Sequence, residues 1–234
     1  MTIPQAPASL PALTTQQMRE VDRIMVEDLH IDLLQMMENA GRALALLAAD
    51  RFRIRRVVVL AGPGGNGGGG MVAARHLANR GADVTVVLSR PRSNLDAVPQ
   101  HQAAILSRMD VTISDDPPPA PDVIVDAVIG YSLSGDPRGR SAELIEWANA
   151  SRAPTLSLDT PSGLNLTSGR VGEPTVRADA TMTLALPKQG LFDAPEVVGD
   201  LFLADIGVPP SVYAAFGIDL TDPFQAGPVV RIGE

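Results

Sequence analysis

Between Leu60 and Met71 the chain reads A-G-P-G-G-N-G-G-G-G, with glycine at seven of the nine positions from Gly62 to Gly70. Each glycine held in regular structure costs roughly 0.5–1 kcal/mol relative to alanine, so a folded run of this kind needs a structural reason. The flanks argue against a flexible linker. Val57-Val58-Val59-Leu60 is a short β-branched run, and Met71 to Arg80 carries a helical pattern that closes at Gly81. A strand, a turn stripped of side chains and a helix, in that order, turn successive backbone N–H groups and a positive helix end towards an anion. Close approach of backbone to a phosphate-bearing small molecule is the expected reason for the run.

The same alternation continues beyond it. Strands are expected at Val84 to Leu88, Val111 to Ile113, Val123 to Val125, Thr155 to Leu158, Thr181 to Leu186 and Leu201 to Ala204. Helices are expected at Leu95 to Met109, Ser141 to Ala150 and Pro209 to Phe216. Upstream, Thr14 stands three residues before Gln17, a capping-box spacing. Met18, Val21, Ile24 and Met25 then recur helically, as do Leu33, Leu34, Met37, Ala40, Leu44 and Leu47. Strands alternating with helices imply an α/β fold with a parallel sheet. Residues 1–12 are expected to be a flexible arm, 13–218 a single domain, and 219–234 a tail rich in Pro, Gly and charge.

A chain of 234 residues, 45% apolar, can bury one sizeable core. Its net charge of -8 repels phosphate backbones and anionic membranes, so neither nucleic acid nor membrane is an expected partner. Without cysteine there is no disulfide framework, thiolate nucleophile or Cys-based metal site, which fits a cytoplasmic setting. No window approaches the roughly 18 uninterrupted apolar residues of a membrane span.

Gly62, Gly64 and Gly67 satisfy G-x-G-x-x-G, but a glycine run matches many such patterns. That fingerprint expects an acid at the end of the second strand, where this chain has Ser89-Arg90-Pro91-Arg92. The two arginines either receive a second phosphate or are solvated loop charges. Two acids do fall at strand ends, Asp126 and Asp159, each opening a distinctive segment: Asp126-Ala127-Val128-Ile129-Gly130 and Asp159-Thr160-Pro161-Ser162-Gly163. Ligands of open α/β sheets sit beyond such ends, where a desolvated carboxyl can exchange protons near neutral pH; the plain alternative is a cap for loop N–H groups. Asp205 is expected to be such a cap. Asn66, Asp126 and Ser162 offer hard oxygen donors suited to an alkali or alkaline-earth ion. Ser162 has no identifiable His partner, and His30, His76 and His101 lack ligand spacing. Lys188 either reaches a ligand phosphate or is a plain turn lysine.

Taken in order, several segments resemble the NAD(P)H-hydrate epimerase family, also called the YjeF N-terminal domain. They are Leu13-Thr14 to Met18-Arg19 with Asp22, Met37-Glu38-Asn39-Ala40-Gly41, the glycine run with Val72 to Leu77, Asp126-Ala127 to Gly130, Asp159 to Gly163, and Leu186-Pro187-Lys188 to Gly190-Leu191. The resemblance implies a three-layer Rossmann-like domain, with a mostly parallel central sheet and helices on both faces, assembled as a homodimer. The implied activity is interconversion of the R and S forms of hydrated NADH and NADPH, with the hydrated dinucleotide as substrate rather than cofactor. Asp159 is then the catalytic proton-handling residue. Substrate would be held by Gly65, Asn66, Gly67, Gly68 and Gly69, by Gly130, Tyr131, Ser132, Leu133, Ser134, Gly135 and Asp136, and by Asp159 and Lys188. Asn66, Asp126 and Ser162 match the family's potassium positions. A separate NAD(P)H-hydrate dehydratase is the implied functional partner.

The family loop reads N-N-G-G-D where this chain has Gly65-Asn66-Gly67-Gly68-Gly69, so one amide and one carboxylate are missing, and His30 stands where the family usually has Gly. Losing a buried hydrogen bond with that Asp costs about 1–3 kcal/mol of recognition. Besides an epimerase with a simplified loop, the residues leave open a divergent enzyme acting on another phosphate-bearing small molecule, a non-catalytic nucleotide-binding or scaffold module, and an NADP-dependent oxidoreductase.

Overall fold

The computed structural model describes residues 3–7 and 10–233; residues 1, 2, 8 and 9 of the expected arm, and residue 234 of the expected tail, lie outside them. Two helices, α1 (Thr15–Arg23) and α2 (Leu33–Arg51), precede the first strand, β1 (Arg56–Ala61). The Thr14 capping box forms as expected, and its side chain accepts from Gln17 N at 3.1 Å. There follow α3 (Gly65–Ala78), β2 (Asp83–Leu88), α4 (Ala97–Arg108), β3 (Thr112–Ser114), β4 (Val123–Ala127), α5 (Arg140–Ala150) and β5 (Thr155–Leu158). The last elements are β6 (Ala180–Leu184), α6 (Pro195–Val198), β7 (Asp200–Ala204), α7 (Pro210–Ala214) and β8 (Val229–Ile232).

The strands make one sheet in the order β3-β2-β1-β4-β5-β6-β7-β8. Every pair is parallel except β7 with β8. Period-two alternation sorts the side chains of β1: Val57, Val59 and Ala61 pack with α2, α3 and α4, while Val58 and Leu60 pack with α5 on the other face. This is the expected three-layer α/β fold. Sequence order reverses between β2-β1 and β4-β5, so the crevice beyond the carboxyl ends of β1 and β4 is a topological switch point.

The glycine run differs from its expected form. The helix begins at Gly65 and not at Met71, so most of the run is helical and only Gly62 to Gly64 make the turn. Contact with a ligand is therefore not the reason for its deeper glycines. A Cβ on Gly68 would stand 2.5 Å from Met37 Sδ of α2, one on Gly70 2.5 Å from Ala127 Cβ of β4, and one on Gly67 would overlap the Gly62 carbonyl. The glycines let α3 lie closer to its neighbours than any side chain permits.

Gly65 contrasts with them, since a Cβ there meets nothing within 4 Å. In a free helix, Gly→Ala gains up to about 1 kcal/mol. Gly65→Ala should accordingly be neutral or stabilising in denaturant unfolding. Gly67→Ala should lose about 1–3 kcal/mol, because backbone must move to admit the methyl.

Both termini also depart from expectation. In the arm, Arg231 N donates to Pro4 O and Ala6 N to Arg231 O, each at 2.8 Å, so its described part pairs with β8. The tail holds β8 itself, a Val-Val-x-Ile run short enough to be hidden by the Pro and Gly around it. Asp205 accepts from Gly207 N at 2.7 Å, as a loop cap should. His30 has a φ of 54°, a conformation that favours glycine.

Candidate active site

Beyond the switch point lies a cavity of about 560 Å³, within the usual range for small-molecule sites. On one side it meets the start of α3. Gly64 provides no side-chain cap for that helix, so its first N–H groups are left for a ligand to satisfy. Apolar Met18, Met36, Met37 and Ala40 line the side formed by α1 and α2.

The polar floor is built around Asp159. This residue follows β5 with a φ of 66°, a left-handed backbone that a non-glycine residue adopts at some cost. The turn aims its carboxylate at Lys188, whose Nζ donates to Asp159 Oδ1 at 2.5 Å, to Leu184 O at 2.9 Å and to Thr183 Oγ1 at 3.2 Å. All three ammonium protons are used. Lys188 is fully buried and Asp159 is 4% exposed, so the pair is screened from water. Lys188 is thus no plain turn lysine, since its protons serve Asp159, Thr183 and the Leu184 carbonyl. Asp159 Oδ2 accepts from Tyr131 N at 3.2 Å.

Asp126, at the end of β4, is wholly buried and accepts four hydrogen bonds. Ser162 Oγ and Val128 N donate to Oδ1 at 2.6 and 3.3 Å; Ser162 N and Ser157 Oγ donate to Oδ2 at 2.8 Å each. Burial pushes its pKa up against the lowering effect of those donors. Ser162 Oγ also accepts from Ile129 N at 2.8 Å, and Asn66 lies against the neighbouring Gly130, where a Cβ would come within 3.3 Å of its Cγ. The turn after β4 therefore gathers Asn66, Asp126 and Ser162, and the Asn66 Nδ2 is buried without a hydrogen-bond partner. The side-chain oxygens of Asn66, Asp126 and Ser162, with a single carboxylate among them, are of the kind that suits a hard monovalent cation, whereas the orphaned Asn66 Nδ2 is an N–H donor that calls for an acceptor and is no ligand for a cation.

Of the residues expected to hold substrate, Gly65, Asn66, Gly69, Gly130, Tyr131, Ser132, Asp159 and Lys188 line the cavity. Gly67, Gly68, Leu133, Ser134, Gly135 and Asp136 do not; Asp136 instead accepts from Arg170 at 2.7 Å and from Glu173 N at 3.2 Å. Arg90 lines the cavity and makes no side-chain hydrogen bond or ion pair among the described residues, while Arg92 donates to Ser107 Oγ at 2.9 Å away from it. His76 bonds Glu38 at 2.8 Å between α3 and α2. Sequence reading missed Asp96 and Ser141 in the cavity wall, and it gave no role to Asp22. Asp96 occupies the N-cap position of α4 yet makes no capping bond, which only the structure reveals.

Residues 33–190 match the family described as YjeF-related protein N-terminus. The chain belongs to this YjeF-related family. Among curated members, a protein of Dehalogenimonas lykanthroporepellens named NAD(P)H-hydrate epimerase is 44% identical, covering 96% of this chain and 94% of that one. Another, from Rhodopirellula baltica and bearing the same name, is 35% identical with 89% of each chain covered. A longer Hyperthermus butylicus protein, named bifunctional NAD(P)H-hydrate repair enzyme Nnr, is 42% identical; the match covers 79% of this chain but only 36% of that protein. The crystal structure of a yeast protein, ynu0 (YNL200c), superimposes with a TM-score of 0.84 at 23% identity, covering 95% of this chain and all of that one. That likeness shows that the two chains share a fold over almost their whole length.

Proposed function

We propose that this protein is an NAD(P)H-hydrate epimerase, interconverting the R and S forms of hydrated NADH and NADPH. The observation that carries this reading is the buried Asp159–Lys188 pair in the same cavity as the uncapped start of α3. One end suits a pyrophosphate and the other a reaction that moves protons. Relatives named NAD(P)H-hydrate epimerase, matched over nearly the full length of both chains, support the same substrate.

The chemistry needs no redox step. Protonation of the C6 hydroxyl lets the C6–O bond break, water departs, and the ring nitrogen shares the resulting positive charge; water then adds to the other face and gives up a proton. Asp159 serves as a proton-transfer group, fixed by Lys188 and by Tyr131 N. Gly130 to Ser132 and the start of α3 orient the dinucleotide, and the apolar side chains of α1 and α2 exclude bulk water. Asn66, Asp126 and Ser162 would hold potassium, whose positive charge would favour anionic groups of the substrate nearby. Gly65 leaves open space where the family loop carries a longer side chain, and Gly69 does not. At Gly69 a Cβ would come 2.8 Å from Leu158 Cδ2, so an Asp there requires Leu158 to move.

The reading includes a homodimer, supported by exposed Val26, Leu29, Leu33 and Leu34. It also includes a cytoplasmic location with a separate dehydratase as functional partner. No helix among the described residues is long and apolar enough to cross a membrane. The test is a coupled assay in which a dehydratase specific for the S form has exhausted that form from an R/S mixture. Adding the protein should restart consumption at once. Continued drift at the spontaneous rate would contradict the proposal.

A further inference from the structure

Asp22, on the last turn of α1, lines the same cavity as Asp159 and among the described residues makes one side-chain hydrogen bond, accepting from Tyr131 Oη at 2.5 Å. Tyr131 therefore holds two carboxylates at once, its main-chain N–H on Asp159 and its phenol on Asp22. The arrangement is braced from below. Leu13 N donates to Pro187 O at 2.8 Å and Gln189 N to Leu13 O at 3.2 Å, so the residues entering α1 are stitched to the loop that carries Lys188. Immediately after Asp22 the helix widens into a π turn (Ile24–Asp28), a distortion often found at functional sites.

We propose that Asp22 is a second proton-transfer residue of this cavity, working opposite Asp159 with Tyr131 as the bridge that spaces them. The inference rests on the epimerase reading, because inversion at C6 requires a proton delivered on one face of the ring and removed on the other. Asp22, as the carboxylic acid, gives its proton to the C6 hydroxyl. The C6–O bond breaks, and both electrons leave with the water. A second water adds its oxygen to C6 from the opposite face, and the Asp159 carboxylate takes the released proton. One water leaves, one water enters, and one proton has moved from Asp22 to Asp159. The reverse reaction starts from that state.

The surroundings of Asp22 suit the acid role. Burial raises its pKa, opposed by the Tyr131 hydrogen bond and by Lys188 and reinforced by the charge of Asp159. The Tyr131 phenol is itself raised, by burial and by both carboxylates, so it stays a donor; Arg19 of α1 works weakly the other way. A carboxyl with a raised pKa keeps its proton to higher pH, and turnover should fall as pH rises through that value.

The experiment is a pH profile of kcat for wild type, Asp22→Asn and Tyr131→Phe, using hydrated NADH with folding checked by circular dichroism. Asp22→Asn should lose about 100-fold in kcat and lose the alkaline fall. Tyr131→Phe removes a bond that lowers the Asp22 pKa, so its alkaline fall should move to higher pH, a shift that a merely structural role for either residue would not produce. If Asp22→Asn fails to fold, the Tyr131→Phe profile decides alone. An active wild type with unshifted variant profiles overturns the second proton group and leaves the epimerase intact. An inactive wild type overturns both.

Discussion

Asp159→Asn should reduce epimerisation by about 10²–10⁴-fold while leaving the fold in place, a loss of roughly 3–5 kcal/mol of transition-state stabilisation. Asn is the informative replacement because it tolerates the left-handed backbone at φ 66° that most side chains resist. It also preserves the shape of the floor. The amide oxygen can accept from Lys188 Nζ, but the amide nitrogen then faces Tyr131 N, donor against donor, and no orientation satisfies both. Some stability will be lost with the activity. Initial rates, compared with the melting temperature and near-ultraviolet circular dichroism of the same sample, separate the two. A folded Asp159→Asn that retains the wild-type rate would remove Asp159 from the mechanism.

Lys188→Met should have the largest effect on stability. The ammonium is fully buried and supplies the charge partner of a carboxylate that is 4% exposed. Removing one member of a buried pair leaves the other uncompensated, at about 3–5 kcal/mol. For a domain of this size each kcal/mol moves the melting temperature by about 2–4 °C, so a fall of roughly 6–20 °C is expected. The double variant Lys188→Met/Asp159→Asn carries no charge at this pair and should recover a good part of that loss, giving a clear coupling energy in a double-mutant cycle. Thermal unfolding of the four proteins checks this. A Lys188→Met that melts with wild type, or a double variant less stable by the sum of the singles, would contradict the pairing.

The parts of this account legible in the sequence are those written in contiguous residues. The β-branched run at Val57, the glycine turn and the helix after it marked the strand–turn–helix unit at the edge of the cavity. Asp126 and Asp159 stood out because each directly follows a strand and opens a distinctive segment. Other parts arise from contacts that no local pattern encodes. Tyr131 and Asp22 are 109 positions apart, and neither has a neighbour in sequence that marks it as half of a pair. Gly67, Gly68 and Gly70 read as ligand contacts because a lack of side chains looks the same whether the approaching group is a phosphate or Met37 and Ala127 of the same chain. Lys188 read as a surface or ligand-facing lysine because lysine is so rarely buried; only the converging Asp159, Thr183 and Leu184 carbonyl make that possible. β8 was hidden by the Pro and Gly on either side of four residues that complete an edge.

The central claim is that this cavity epimerises a hydrated nicotinamide dinucleotide despite glycine at positions 65 and 69. The direct measurement is proton NMR of stereochemically enriched hydrated NADH mixed with the purified protein in potassium buffer, following the R and S signals over time. The account predicts that wild type brings the two forms to equilibrium far faster than the spontaneous reaction. Equilibration at the spontaneous rate, by a sample shown to be folded, would contradict it and mark Gly65 and Gly69 as signs of a cavity turned to a different ligand.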